Sequence, residues 1–133
     1  MNKASSLLLA ALVAGCAQAT EPGSASLDRD FLVREGQQVV VDGDRLAIRF
    51  QDVTEDSRCA TDVQCVWAGE GVVVLRVSEP GREPAEVTLR TTEGKNVGAY
   101  GAYRVALKNL DPKPRSGGSP PETYVATLEV RRP

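Results

Sequence analysis

The chain has 133 residues, with 16 basic and 18 acidic side chains, a formal net charge of −2 and no histidine. So even a balance excludes the strongly basic surface that would point to nucleic acid. The missing imidazole excludes a Ser-His or Cys-His nucleophile pair, and only two phenylalanines and one tryptophan leave any core to Val, Leu, Ile and Ala.

At the amino terminus Lys3 precedes the run from Leu7 to Ala14, which ends in small residues. Charge, a short apolar stretch and a small-residue exit describe an export signal, and the stretch is far shorter than the roughly 20 residues of a membrane-spanning helix. Val13-Ala14-Gly15-Cys16 resembles the lipobox of bacterial lipoproteins. The resemblance implies cleavage before Cys16 and acylation of that residue, an ordinary cleaved secretory signal being the other reading. Several acyl chains hold a protein to a bilayer stably where one holds it reversibly. Ala17 stands where the lipoproteins retained at the inner membrane carry aspartate, so the resemblance implies an outer-membrane address facing the periplasm. Residues 16–26 are rich in Gln, Ala, Thr, Glu, Pro, Gly and Ser and read as a flexible tether. Removing residues 1–15 from 133 leaves 118, and the loss of Lys3 leaves 15 basic against 18 acidic side chains, a net charge of −3. Residues 27–133 have the size of one domain.

Beyond the tether the pattern is period two. Val39-Val40-Val41 is followed by Asp42-Gly43, a pair that tolerates the positive φ of a tight hairpin. Then come Leu46, Ile48 and Phe50 on one face, with Arg45, Arg49 and Gln51 on the other, a half-buried strand. The same alternation recurs in Val73, Leu75 and Val77, in Val87 and Leu89, in Tyr103, Val105 and Leu107, and in Ala126, Leu128 and Val130. A turn at Glu79-Pro80-Gly81 separates two of these strands, and Gly98 to Ala102 reads as a loop running into the next. Two long loops remain, one from about Val53 to Gly71 and a Pro- and Gly-rich one from Asp111 to Glu122. Six or seven short strands without a helical repeat predict an all-β domain, a small antiparallel sandwich of immunoglobulin-like type or a related barrel.

Of three cysteines one is the lipidation candidate, Cys16. The remaining pair, Cys59 and Cys65, reads as a disulfide in an oxidising compartment, worth roughly 2 kcal/mol by loop closure. The surrounding segment, Asp56-Ser57-Arg58-Cys59, five residues, then Cys65-Val66-Trp67-Ala68-Gly69-Glu70, resembles the signature of a family of small uncharacterised exported bacterial proteins. Similar sequences often have proline at the position of Ala60. The resemblance covers roughly residues 46–75 and implies a shared fold, with no activity to carry over.

Two roles compete for this loop. In the favoured one Val66 and Trp67 turn inward and plug an open end of the sandwich, since a buried indole removes a large apolar area from water. In the other, Arg58, Trp67 and Glu70 form a binding loop with exposed anchors of the kind enriched at interfaces. Asp52, Glu55, Asp56, Asp62 and Glu70 crowd the same stretch, but their spacing lacks the alternating ligands and central glycine of a calcium loop. Zinc lacks histidine and reduced thiols, so neither a metal nor a cofactor is expected. The expected function is a non-catalytic binding or structural role in the cell envelope, toward a protein, the cell wall or a small ligand and not toward nucleic acid. The alternative is a periplasmic enzyme or protease inhibitor acting through residues 53–71. Exposure of Trp67 discriminates between plug and binding loop.

Overall fold

The computed structural model describes residues 23–43 and 45–133 together with Gly15. The export signal and Cys16 therefore lie outside the described residues. Nine strands form among those described: β1 (Gly23–Ala25), β2 (Asp30–Arg34), β3 (Gln38–Val41), β4 (Leu46–Asp56), β5 (Gly71–Ser78), β6 (Ala85–Arg90), β7 (Val97–Tyr100), β8 (Tyr103–Asp111) and β9 (Val125–Arg131). They pair into one sheet of order β1-β3-β4-β5-β6 and a second of order β2-β9-β8-β7. The architecture is the small β-sandwich expected from the alternating pattern.

The inward faces of both sheets are the apolar faces read from the sequence. Leu46, Ile48 and Phe50 of β4 are buried, as are Val73, Leu75 and Val77 of β5, Val105 and Leu107 of β8, and Ala126, Leu128 and Val130 of β9. Arg49 and Gln51 on the opposite face of β4 are exposed. A period-two pattern holds only while the ladder is regular, and two strands break it with bulges. In β8 the register shifts between Leu107 and Asn109, so the inward series passes from odd to even numbers and Leu110 is buried. In β4 two shifts, between Phe50 and Asp52 and between Val53 and Glu55, carry the strand on to Asp56. The loop expected from Val53 is thereby shortened to residues 57–70.

Three strands exceed the expectation. Gly23–Ala25 pair in parallel with β3, which corrects the tether: within the span 16–26 assigned to it, residues 23–25 belong to the sheet. Asp30–Arg34 pair with β9; their run of Phe31, Leu32 and Val33 does not alternate, because the strand lies at a sheet edge with Val33 buried and Leu32 outside. The segment read as a loop at Gly98 is strand β7. Gly98 is needed there because a Cβ would stand 2.4 Å from Val87 Cγ1, so only glycine lets β7 approach β6 this closely.

Strand directions sort the connections to two poles. β4 and β8 run toward one pole, where residues 57–70 and 112–124 form the long loops. The short turns at Asp42-Gly43, with φ of 57° and 61°, and at residues 79–84 lie at the other. That second pole is tied by the Tyr103 hydroxyl, which donates to Asp42 Oδ2 at 2.8 Å, and by Arg132, whose guanidinium lies 5.6 Å from the centre of the Tyr103 ring.

Candidate functional site

The loop of residues 57–70 starts as a continuation of the β4–β5 ladder. Ser57 N donates to Glu70 O at 2.8 Å and Cys59 N to Ala68 O at 2.9 Å, while Ser57 Oγ accepts from Glu70 N at 3.1 Å. Two strands this close exclude a side chain at the crossing point. Gly69, at φ 61°, would place a Cβ 1.7 Å from the Ser57 carbonyl oxygen, so the glycine of the Trp67-Ala68-Gly69 run is a steric requirement. Beyond that neck the Cys59–Cys65 disulfide, with Cα atoms 5.8 Å apart, closes the tip on itself.

Arg58 holds the neck to the rest of the domain. Its side chain is 10% exposed and lies against Asp56 at 14%. Nε donates to Asp56 Oδ1 at 2.7 Å and Nη2 to Oδ2 at 2.8 Å, a paired geometry that only a planar guanidinium offers. The guanidinium also reaches the end of β8 and the other long loop, Nη1 donating to Leu110 O at 2.6 Å and Nη2 to Pro112 O at 2.9 Å. The Tyr124 hydroxyl completes the node by donating to Asp56 Oδ2 at 3.0 Å. These donors, Arg58 foremost and then Tyr124, hold the Asp56 carboxyl below the usual carboxylate range against the opposing effect of burial. Burial, and after it the hydrogen bond to Asp56, pushes the Tyr124 phenol up.

Further ties run across the same seam. Thr61 N donates to Pro114 O at 3.0 Å. Asp62 accepts from Ser116 N at 2.9 Å and from Ser116 Oγ at 2.6 Å, which lowers its carboxyl from the ordinary value. Glu70 accepts from Thr92 Oγ1 at 2.8 Å and is paired with Arg90; the Thr92 hydroxyl is the larger cause of its lowered carboxyl, Arg90 the next. Asp56, Asp62 and Glu70 are thus each turned to a different protein partner. Among the described residues no group of three or more metal-binding side chains converges.

Against this braced base the tip is apolar and faces outward. Val66 is 92% exposed, Trp67 83% and Val63 46%. The expectation that Val66 and Trp67 plug the sandwich is therefore corrected. That end is closed from within by Leu110, which is buried and reaches Gly71 so closely that a Cβ there would stand 2.9 Å from Leu110 Cδ2. With the end already filled, the edge of the tip that carries Val66 and Trp67 faces solvent, while Thr61 and Asp62 tie its other edge to Pro114 and Ser116. Of the three residues offered as a binding loop, Trp67 is presented to solvent. Arg58 and Glu70 are turned to the base and position the tip.

Comparison of the chain with family models, with curated proteins and with solved structures returns no match in any of the three. What the site can do chemically rests on its own geometry. Beside the loop, β4 and residues 112–124 flank an open groove of about 580 Å³, lined by Val53, Asp56, Pro112, Pro114, Pro121 and Tyr124. Among the charged groups that line it, Asp56 has its carboxyl lowered, chiefly by the hydrogen bonds of Arg58 and then of Tyr124. It is held ionised, the reverse of what a general acid requires.

Proposed function

We propose that this chain is a cell-envelope lipoprotein of the kind its lipobox resembles, anchored through Cys16, and that its domain serves a non-catalytic recognition role through the loop of residues 57–70. The observation that carries the reading is Trp67 standing 83% exposed on a loop fixed by a disulfide, a steric glycine and a guanidinium bridge. An indole left in water costs free energy that burial against a partner recovers. A pre-ordered loop loses little entropy on binding, so more of that gain appears as affinity. Tryptophan is also among the residues most enriched at the energetic centres of interfaces. Kinship with the exported proteins that share the DSRC…CVWAGE signature belongs to the same reading.

Hydroxyl-radical footprinting of Trp67 tests it. Trp67 is expected to oxidise readily in the purified, unacylated Cys16→Ser protein and to be protected in intact envelopes carrying the wild-type chain. Equal oxidation in the two settings would mean that the loop meets nothing in the envelope.

A further inference from the structure

The position of the anchor relative to the loop restricts what the loop can meet. β1 runs parallel to β3 and hence antiparallel to β4, with Gly23 level with Val39 and Ile48. The amino end of β1 therefore faces the pole at which β4 ends, which is the pole of Trp67. Ile48 pairs with Val77 and Asp56 with Gly71, so six residue steps of β5 separate the level of Gly23 from the base of the loop, about 20 Å at a strand's rise. The ladder from Ser57 to Cys59 extends the tip roughly 5–10 Å further. Six residues lie between Cys16 and Gly23, and the seven steps from one to the other cover at most about 25 Å at full extension. An acylated Cys16 held at the headgroup level thus reaches no farther than the loop tip does.

We infer that the surface met by Val63, Val66 and Trp67 is the bilayer that holds the anchor. This rests on the acylation proposed above and names the occupant of the same loop. The tip suits that occupant. From Thr61 to Ala68 its one charged residue is Asp62, whose carboxylate is engaged by Ser116. A tryptophan beside aliphatic side chains is the composition that settles at the boundary between headgroups and acyl chains. Among the described residues the two other large apolar side chains left exposed, Leu32 and Val97, lie on edge strands β2 and β7. The chain is then held at two points, and the second fixes which way the domain stands. Entry driven by apolar contact requires no anionic lipid and varies little with salt.

Trp67 is the one tryptophan in the chain, so its fluorescence reports this contact without interference. The full-length acylated protein is placed in phosphatidylcholine vesicles with and without bromine-labelled acyl chains, and its mass is measured in parallel. The expected result is emission shifted to shorter wavelength, quenched by the brominated lipid and shielded from iodide. Val66→Asp, a change at a fully exposed position, is expected to return the emission toward that of indole in water with an unchanged circular dichroism spectrum. An acylated protein whose Trp67 stays open to iodide and untouched by brominated lipid would overturn the inference and leave the lipoprotein reading standing. So would shielding that arises only when envelope proteins are added, which would make the occupant a protein. A mass without acyl chains would overturn both.

Discussion

The core of the sandwich and its loop pole are built on opposite terms. The core is held by apolar faces turned inward, with Leu46, Ile48, Phe50, Leu75 and Leu128 wholly buried. At the loop pole the polar groups do the holding, through Arg58, Asp56, Asp62 and Glu70, and the apolar groups face water. The difference teaches that an apolar residue beside a disulfide is not by that fact a core residue. Its direction is decided by whether the space beneath it is already filled, and here Leu110 fills it.

The largest expected effect comes from breaking the core side. Phe50→Ala removes a fully buried ring and should cost about 3–5 kcal/mol, read as a lower urea midpoint with the Trp67 emission of the folded protein unchanged. On the loop side, Arg58→Ala takes both guanidinium donors from Asp56, leaving it the Tyr124 hydroxyl, and removes the donors that Arg58 supplies to the carbonyls of Leu110 and Pro112. We expect a loss of about 2–4 kcal/mol, with amide exchange rising in residues 57–70 and 112–124 before it rises in the strands. Exchange that rises equally everywhere would show that the two regions are one cooperative unit.

The sequence made these two regions unequally legible. The alternation of Leu46, Ile48 and Phe50 announces both strand and facing, because a single period fixes which side is buried. The Asp42-Gly43 turn is similarly local: both residues take the positive φ that the pair tolerates. β1 and β7 were not legible. Gly23-Ser24-Ala25 has no side chain large enough to signal burial, and β7 exists because Gly98 fits against Val87, a fact about a distant strand. The disulfide was readable from cysteine parity. The outward turn of Trp67 and the inward turn of Arg58 were not, since each depends on residues 110 and 112, more than forty positions away.

Smaller effects sharpen the comparison. Cys59→Ser should lower stability by about 2 kcal/mol, seen as a drop in Tm, and should loosen the tip while leaving the Arg58 node in place. Acid should act on the loop pole through Asp56. Its carboxyl is lowered on folding, chiefly by the hydrogen bonds of Arg58. Its contribution is therefore complete above the unfolded carboxylate's value and is lost as the pH falls below about 4 toward the folded value. Tm measured across that window should fall for the wild type and fall less steeply for Asp56→Asn, which starts lower at neutral pH.

Recognition through this loop requires that it stay ordered and keep its indole in water when no partner is present. Fluorescence of the lipid-free Cys16→Ser protein in buffer tests this directly. The expected result is long-wavelength emission, open to iodide in the folded protein and nearly unchanged on unfolding. Short-wavelength emission shielded from iodide, becoming accessible only as the strands melt, would place Trp67 inside the sandwich and contradict it.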